Sequence, residues 1–414
     1  MGCSNTTPSS SPTAVTVYPY PHQNGKKTVV VVGYSIAGYT IGEAVWDDGN
    51  VVFIDARDHF EYVPTNIKSS VDQGWKDKIT VTYAESEQGY NGKFKFVQGS
   101  LLNVNGDGKT IEVQLADKRK VNLPYDVLVL ATGFKYESPI KTEGVVTITD
   151  RKAKLDEFHN QVKAAKNIAV VGGGIVGVEL AGEIAFHPQA SEKKINLIVR
   201  GDKLLKQVHS SAHEHADKFL KEKNVNIHYN TTYTEALKKK EGYDLVLVCD
   251  GQRYQAPYLK KSFGSSVAKN GQIWVNDYFQ VTAVDPATNG KSAAVKDNIF
   301  AFGDICRTSM NEVKNIPSIK FLRQFIAPNV KAVINGQAPT TSIPKKIPVF
   351  VAISIGPTYG MYVQNDSVYA AEGNGSGKFS FSEDYIKIWK GAHDVAKGQQ
   401  AYLESTYADL AKQF

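Results

Sequence analysis

Cysteine is scarce in this chain. Three occur in 414 residues, at Cys3, Cys249 and Cys306, and no two stand as CxxC or CxxxxC. That excludes a redox-active dithiol and a zinc-binding spacing. Cys249 and Cys306 read as small core residues, and a reducing, intracellular setting is expected. Long apolar runs are missing too. No stretch approaches the ~18 residues of a transmembrane helix, and no apolar segment follows the N-terminus as a secretory signal requires. Nor is charge of one sign concentrated. Lys and Arg number 48 against 42 Asp and Glu, a net charge of +6, and the densest basic run is Lys238–Lys240. Such a spread favours anionic partners such as phosphates or an acidic membrane surface, and no specific nucleic acid is expected.

The chain opens MGCSNT. Gly2 with Thr6 fits the M-G-x-x-x-[ST] pattern of N-myristoylation, and Cys3 is placed for palmitoylation. Two acyl chains hold a protein on a membrane where one myristoyl chain holds it only marginally. Ser, Thr and Pro dominate as far as Asn24, so residues 1–25 read as a flexible acylated tether. A chance match in a tail is the alternative.

The segment KKTVVVVGYSIAGYTIGEAVWDDGNVVFIDAR reads strand, turn, helix, strand. Val29–Val32 is a continuous apolar run, as a strand buried in a parallel sheet should be. Gly33 and Gly38 hold the first and third glycine positions of G-x-G-x-x-G, with Ser35 at the middle position and Ala37 beside it. The middle glycine normally lets a pyrophosphate approach the backbone, so Ser35 departs from the pattern. Asp55 closes the next strand, where a carboxylate accepts hydrogen bonds from ribose hydroxyls.

A second turn, NIAVVGGGIVGVELAGEIA, carries Gly172, Gly174 and Gly177 without a defect. Its helix N-terminus offers backbone N–H groups to a pyrophosphate. The strand after it, INLIVRG, ends in Arg200 rather than an acid. A base there can pair with a 2′-phosphate, which makes NADPH at least as good a candidate as NADH; a solvated surface charge is the alternative. Three further apolar strands end in small or acidic residues: YDVLVLATG at Thr132 and Gly133, GYDLVLVCDG at Asp250 and Gly251, and DNIFAFGD at Gly303 and Asp304. Each glycine turn therefore has its own closing strand, and the second unit lies within the first.

In this order the first turn, Asp55, ATG, the second turn and FAFGD resemble the two-dinucleotide-binding-domain flavoproteins of the pyridine nucleotide-disulfide oxidoreductase superfamily. The resemblance covers roughly Lys26 to Gly336. FIDARDHFEYVPTNIKSSV, VVGGGIVGVELAGEI and NVKAVINGQ are most similar to its apoptosis-inducing-factor-like, ferroptosis-suppressor branch, related to the type II NADH dehydrogenases. The resemblance implies an α/β fold with two Rossmann-like dinucleotide-binding domains, the second inserted in the first, plus a C-terminal α+β domain. It divides the chain into an FAD-binding domain at 26–143 and 263–337, an NAD(P)H-binding domain at 144–262 and a C-terminal domain at 338–414.

The resemblance also implies roles for residues. Gly33, Ser35, Ala37 and Gly38 would face the FAD pyrophosphate, and Asp55 the adenosine ribose. Lys68 falls where relatives usually have an arginine near the FAD phosphates. Val97 would meet the adenine through its backbone, and Asp304 the ribitol chain. Asp250 stands where a Thr is common. Glu179 matches a family glutamate near the nicotinamide–flavin contact; an ordinary helix-start acid is the other reading. A helix starting near Pro317 would point its N-terminus at the flavin, with Lys320 adding positive charge or remaining a solvated lysine.

The implied activity is that of a membrane-associated, FAD-dependent NAD(P)H:quinone oxidoreductase. Hydride would pass from NAD(P)H to FAD and on to a ubiquinone-type quinone, protecting lipids from peroxidation. A cytosol-facing location is expected, at the plasma membrane, a lipid droplet or another membrane, and a homodimer is left open. Two alternatives stand: another acceptor, such as monodehydroascorbate or an iron–sulfur protein, and a signalling or nucleic-acid-binding flavoprotein. From about Thr340 the pattern changes to antiparallel strands, IPVFVAISIG and YGMYVQNDSVYAAEG. Tyr385, Ile388 and Trp389 then share one helical face, expected either at a quinone mouth or membrane surface, or packed on its own domain or a dimer mate.

Overall fold

A computed structural model of the chain describes residues 25–137, 139–310, 312–372, 386–387 and 389–391. The first unit opens with strand β1 (Thr28–Val32), helix α1 (Ile36–Val45) and strand β2 (Asn50–Asp55). A short antiparallel pair, β3 (His59–Glu61) and β4 (Thr80–Thr82), brackets a 3-10 stretch at Val63–Ser70 and helix α2 (Trp75–Lys78). Helix α3 (Tyr83–Gly89) and strands β5 (Phe94–Asn105), β6 (Thr110–Leu115), β7 (Lys120–Pro124) and β8 (Val127–Leu130) follow. A connecting segment and helix α4 (Ile148–Ala164) lead to the second unit: β9 (Asn167–Val171), α5 (Ile175–Ala185), β10 (Lys194–Ile198), α6 (Ser211–Glu222), β11 (Val225–His228), α7 (Glu235–Glu241) and β12 (Leu245–Val248). The chain returns through α8 (Lys260–Phe263), β13 (Ile273–Trp274), β14 (Ile299–Ala301), β15 (Cys306–Arg307) and α9 (Ile316–Ile334). Strands β16 (Phe350–Ile355), β17 (Tyr359–Gln364) and β18 (Ser367–Glu372) complete it.

Strand order explains the chain order. The first sheet runs β14-β8-β1-β2-β5-β6-β7. Its parallel part is β14, β8, β1, β2 and the start of β5, and β6 and β7 extend β5 as an antiparallel ribbon. β14 closes the sheet beside β8 although the whole second sheet, β11-β10-β9-β12, lies between them in sequence. The parallel strands are buried on both faces, with β1 and β8 at 5 % exposure or less throughout, as strands covered on both sides by other elements must be.

The C-terminal strands form an antiparallel meander, as their alternation predicts. It shares its core with the second unit: Ile353, Ile355 and Met361 pack with Val178 and Ala181 of α5, and Tyr359 stacks on Phe219 of α6 at 4.0 Å. Gly182 permits this approach, because a Cβ there would stand 2.6 Å from Ile355. Among the described residues, no helix is long and apolar enough to cross a membrane.

Trp389 differs from one of its two expectations. It is 1 % exposed and stacks on Phe60 at 3.7 Å, with Tyr39 at 4.6 Å. It fills the core of the first unit rather than a mouth or a membrane surface. Burying an indole ring in an aromatic cluster recovers more than leaving it at the surface. Tyr385 and Ile388, like Gly2 and Cys3, lie outside the described residues.

Candidate functional site

Both glycine turns are enforced by contact. Gly33 has φ +101, and a Cβ on it would collide with the Ala131 carbonyl of the next strand end. Gly172 has φ +124, and a Cβ there would stand 2.5 Å from the Cys249 carbonyl oxygen. Gly38 and Gly177 each pack against the carbonyl of the first glycine of their own turn, where any side chain would collide. They set how closely helix meets strand and are not at the wall of the cleft.

The helices at these turns begin without side-chain caps. Ser35 and Gly174 are the N-cap residues of α1 and α5, and neither supplies a capping hydrogen bond. Thr82, Thr147, Thr234 and Asn315 do cap α3, α4, α7 and α9. Helix α6 also begins without a side-chain cap, but the α1 and α5 ends lie at the wall of a cleft, and a diphosphate is the kind of anion such a helix end accepts.

The two turns open into one continuous cleft of about 1460 Å³. Ser35, Ala37, Asp55, Thr132, Gly133 and Asp304 line it from the first unit, Gly174, Glu179, Arg200 and Gly251 from the second, and Pro317 and Lys320 from α9. Gly133 and Gly251 hold positive φ with nothing of the protein within 4 Å of a would-be Cβ, so that side is open to a ligand. The arrangement can take a dinucleotide at each of the two turns.

Asp55 is held in place before any ligand arrives. Its Oδ2 accepts the Tyr34 N–H at 2.9 Å, and its Oδ1 accepts the Arg57 N–H at 2.9 Å and Nε at 3.4 Å. A carboxylate has further lone pairs, so it can still accept from a ribose. Thr132 shares a 2.7 Å hydrogen bond with the Tyr258 hydroxyl. Burial raises the carboxyl of Asp304 above the ordinary range, with Lys141 and Lys314 opposing. Lys314 is itself tied to the Cys306 carbonyl at 2.7 Å and to Glu312 at 2.5 Å.

Glu179 is buried at the wall, and its Oε1 accepts the backbone N–H of Ser354 at 3.0 Å, so it also fastens α5 to β16. Helix α9 begins at Ile316, with Pro317 in its first turn where no N–H is needed. Asn315 caps it by accepting the Ser318 N–H at 2.9 Å, and its Nδ2 donates to the Phe350 carbonyl at 2.8 Å. One of the helix-end amides is thus spent on the cap. Burial, with Arg323 nearby, lowers the Lys320 ammonium to about 8, against the pull of Glu43.

On the second unit, Arg200 stands exposed at the wall with Lys203 and Lys206. The loop carrying the lysines is pinned to the glycine turn: the Leu205 N–H donates to the Gly173 carbonyl at 2.7 Å, and Leu205 accepts φ +54 to do so.

Two residues lie elsewhere than expected. Lys68 is not at the cleft wall; its Nζ lies 3.9 Å from the Glu183 carboxylate and 5.3 Å from the centre of the Trp75 ring. Glu183 is buried, and Lys68 stands beside its carboxylate. Val97 is buried in β5 opposite Ile54, also away from the wall. Conversely, Arg57, Lys141 and Lys314 line the cleft without having been singled out in the sequence. Arg57 was within reach, two residues past Asp55. The lysines sit in irregular segments where no pattern marks them. Burial pushes the Cys249 and Cys306 thiols up to about 12, so neither supplies a thiolate.

The sequence profile described as pyridine nucleotide-disulphide oxidoreductase matches residues 27–318. The chain is 28% identical to "Oxidoreductase ptaL" of Pestalotiopsis fici over 338 residues, covering 76% of this chain and 85% of that one. It is 24% identical to "Ferroptosis suppressor protein 1" of Xenopus tropicalis over 352 residues, covering 81% and 88%. Among solved structures it resembles the sulfide:quinone oxidoreductase of Aquifex aeolicus with a TM-score of 0.66 at 16% identity, over 91% of this chain and 95% of that one. At that identity the likeness is one of fold.

Proposed function

The chain belongs to the pyridine nucleotide-disulphide oxidoreductase family, and from that membership we propose that it passes electrons from NADPH, through FAD, to a ubiquinone-type quinone at a cytosol-facing membrane. FAD and NAD(P)H are the family's cofactors. The observation that carries the reading is the single cleft onto which both uncapped helix ends open. FAD, when bound, would supply a centre able to accept hydride and release electrons, and the protein supplies alignment and field.

The residues divide that work. The amides of α1 and α5 receive the two diphosphates. Asp55 orients one ribose, and Arg200 with Lys203 favours a 2′-phosphate on the other, Lys206 being paired with Asp202 at 2.6 Å. Glu179, at the cleft wall, fastens α5 of the second unit to β16 of the C-terminal meander. The α9 N-terminus and Lys320 place positive charge at the same wall, where negative charge accumulates on reduction. Val63, Pro64, Ile67, Phe350 and Tyr362 give the cleft an apolar side, which suits a flat quinone ring. The absence of any CxxC pair in these 414 residues supports direct exit of electrons rather than relay through a disulfide.

Acylation at Gly2 and Cys3 is the proposed anchor, and it would bring the cleft to a lipid-soluble acceptor. Protection of lipids from peroxidation follows if the reduced quinone stays in the bilayer. The test is NADPH oxidation with a short-chain ubiquinone, monodehydroascorbate or an iron–sulfur protein as acceptor. Turnover at least tenfold faster with the quinone supports the proposal. Turnover confined to either of the others overturns the choice of acceptor and leaves the flavoprotein reading in place.

A further inference from the structure

The first unit lacks the cation expected for the FAD diphosphate, since Lys68 is turned to Glu183. We propose that Lys141, delivered from the segment joining the two units, supplies that charge, with Arg57 beside it. The proposal rests on FAD as the occupant of this half of the cleft.

Geometry carries it. Lys141 lines the cleft together with Arg57, Asp55 and Asp304. Its Nζ donates to the Phe134 carbonyl at 3.0 Å and sits 3.5 Å from the centre of the Phe134 ring, just past the ATG turn. Its charged neighbours are Asp304, Arg57, Glu61 and Asp55. Asp304 and Asp55 are the two carboxylates placed for the sugars at either end of the cofactor. Lys141 and Arg57 line the same cleft as these two carboxylates, where a cation can meet the diphosphate that joins the sugars.

The segment is built to aim this side chain. Arg151 of α4 forms a two-pronged ion pair with Glu61 of β3, both contacts at 2.8 Å and both side chains 3 % exposed. The same guanidinium donates to the carbonyls of Pro139 and Ile140, at 3.1 and 3.0 Å, and to the Thr142 hydroxyl at 3.1 Å. Asn66 donates to the Ile140 carbonyl as well, at 2.7 Å, and to Glu61 at 3.0 Å. The backbone is thus fastened at Pro139 and Ile140, and the Thr142 side chain is held just beyond, while the Lys141 side chain lines the cleft. Arg151 is a positioning residue in this account.

A pH signature follows. Burial, with Arg57 opposing charge and Asp304 favouring it, lowers the Lys141 ammonium to about 8. An anion beside it raises that value again. Its contribution to affinity is complete below pH 8 and fades as pH climbs through the raised value.

The experiment is titration of deflavinated protein with FAD, read by quenching of flavin fluorescence, at pH 7 and at pH 9.5. Lys141→Met is expected to weaken FAD at least tenfold at pH 7, Lys141→Arg less than threefold, and Lys68→Met less than twofold. The wild type should lose more affinity between pH 7 and 9.5 than Lys141→Met, in which the Lys320 ammonium, also lowered to about 8, still titrates. Lys141→Met within twofold of wild type, or Lys68→Met as weak as Lys141→Met, overturns the proposal and leaves the flavoprotein reading intact. Wild type that takes up no FAD at all overturns both.

Discussion

At the first turn Ser35 stands where the second has Gly174, and both residues have extended backbone, φ −112 and −81. Any residue adopts that conformation. The middle position of the motif therefore asks for a small side chain in this fold, not for glycine's freedom, and the departure at Ser35 costs little. What separates the two turns is what the following strand brings. The first is met by Asp55, locked by hydrogen bonds to Tyr34 and Arg57. The second is met by Arg200, exposed beside two lysines. One strand end is pre-set by hydrogen bonds. The other is charged and exposed.

The largest effects should come from the glycines at positive φ. Gly33→Ala places a left-handed alanine, costing about 1–2 kcal/mol, against a strand end where overpacking costs about 1–3 kcal/mol more. It is expected to abolish flavin binding. Gly172→Ala meets the same obstacles in the second unit and should leave the protein yellow but unreactive toward NADPH. Flavin content and stopped-flow reduction of the two variants check this, and loss of flavin in both would erase the distinction between the turns.

The joint between the units comes next. Arg151→Met strands Glu61 as a buried charge, a change that costs about 3–5 kcal/mol. Urea denaturation should show it. The Glu61 carboxyl is held below its ordinary range by Arg151 and Asn66 against burial. Its stabilisation is thus present above the ordinary carboxyl range and is lost as pH falls through the lowered value. Wild type and variant should therefore converge in acid.

Smaller changes refine the comparison. Arg200→Ala should weaken NADPH about tenfold, roughly 1.4 kcal/mol, while NADH changes less than twofold; equal losses would mean that Arg200 does not read the 2′-phosphate. Ser35→Gly should alter the FAD dissociation constant less than about threefold, within the few tenths of a kcal/mol by which glycine and serine differ at an N-cap.

The two turns were legible in the sequence because glycine at a strand end, an apolar run and an acid or base on the next strand are local signals. The C-terminal meander was legible for the same reason, through its alternation. The ribbon β6–β7 and the cations Arg57, Lys141 and Lys314 were not. Lys141 reaches the cleft only because Arg151 and Asn66, distant in sequence, hold the carbonyls around it. Lys68 shows the converse: its place in the motif pointed to the cofactor, and a buried Glu183 claimed it. Trp389 on an amphipathic face looks the same whether it meets lipid or its own core, and packing against Phe60 decided the matter.

The central claim is that one cleft joins a hydride donor to a flavin that discharges directly to a quinone. It is tested most directly by the visible absorption spectrum of the purified protein, taken anaerobically before and after NADPH and again after ubiquinone. The account predicts flavin bands that bleach with NADPH and return with the quinone. Bands that bleach and stay bleached would contradict it at the acceptor. A colourless protein that FAD does not reconstitute would contradict it at the first turn.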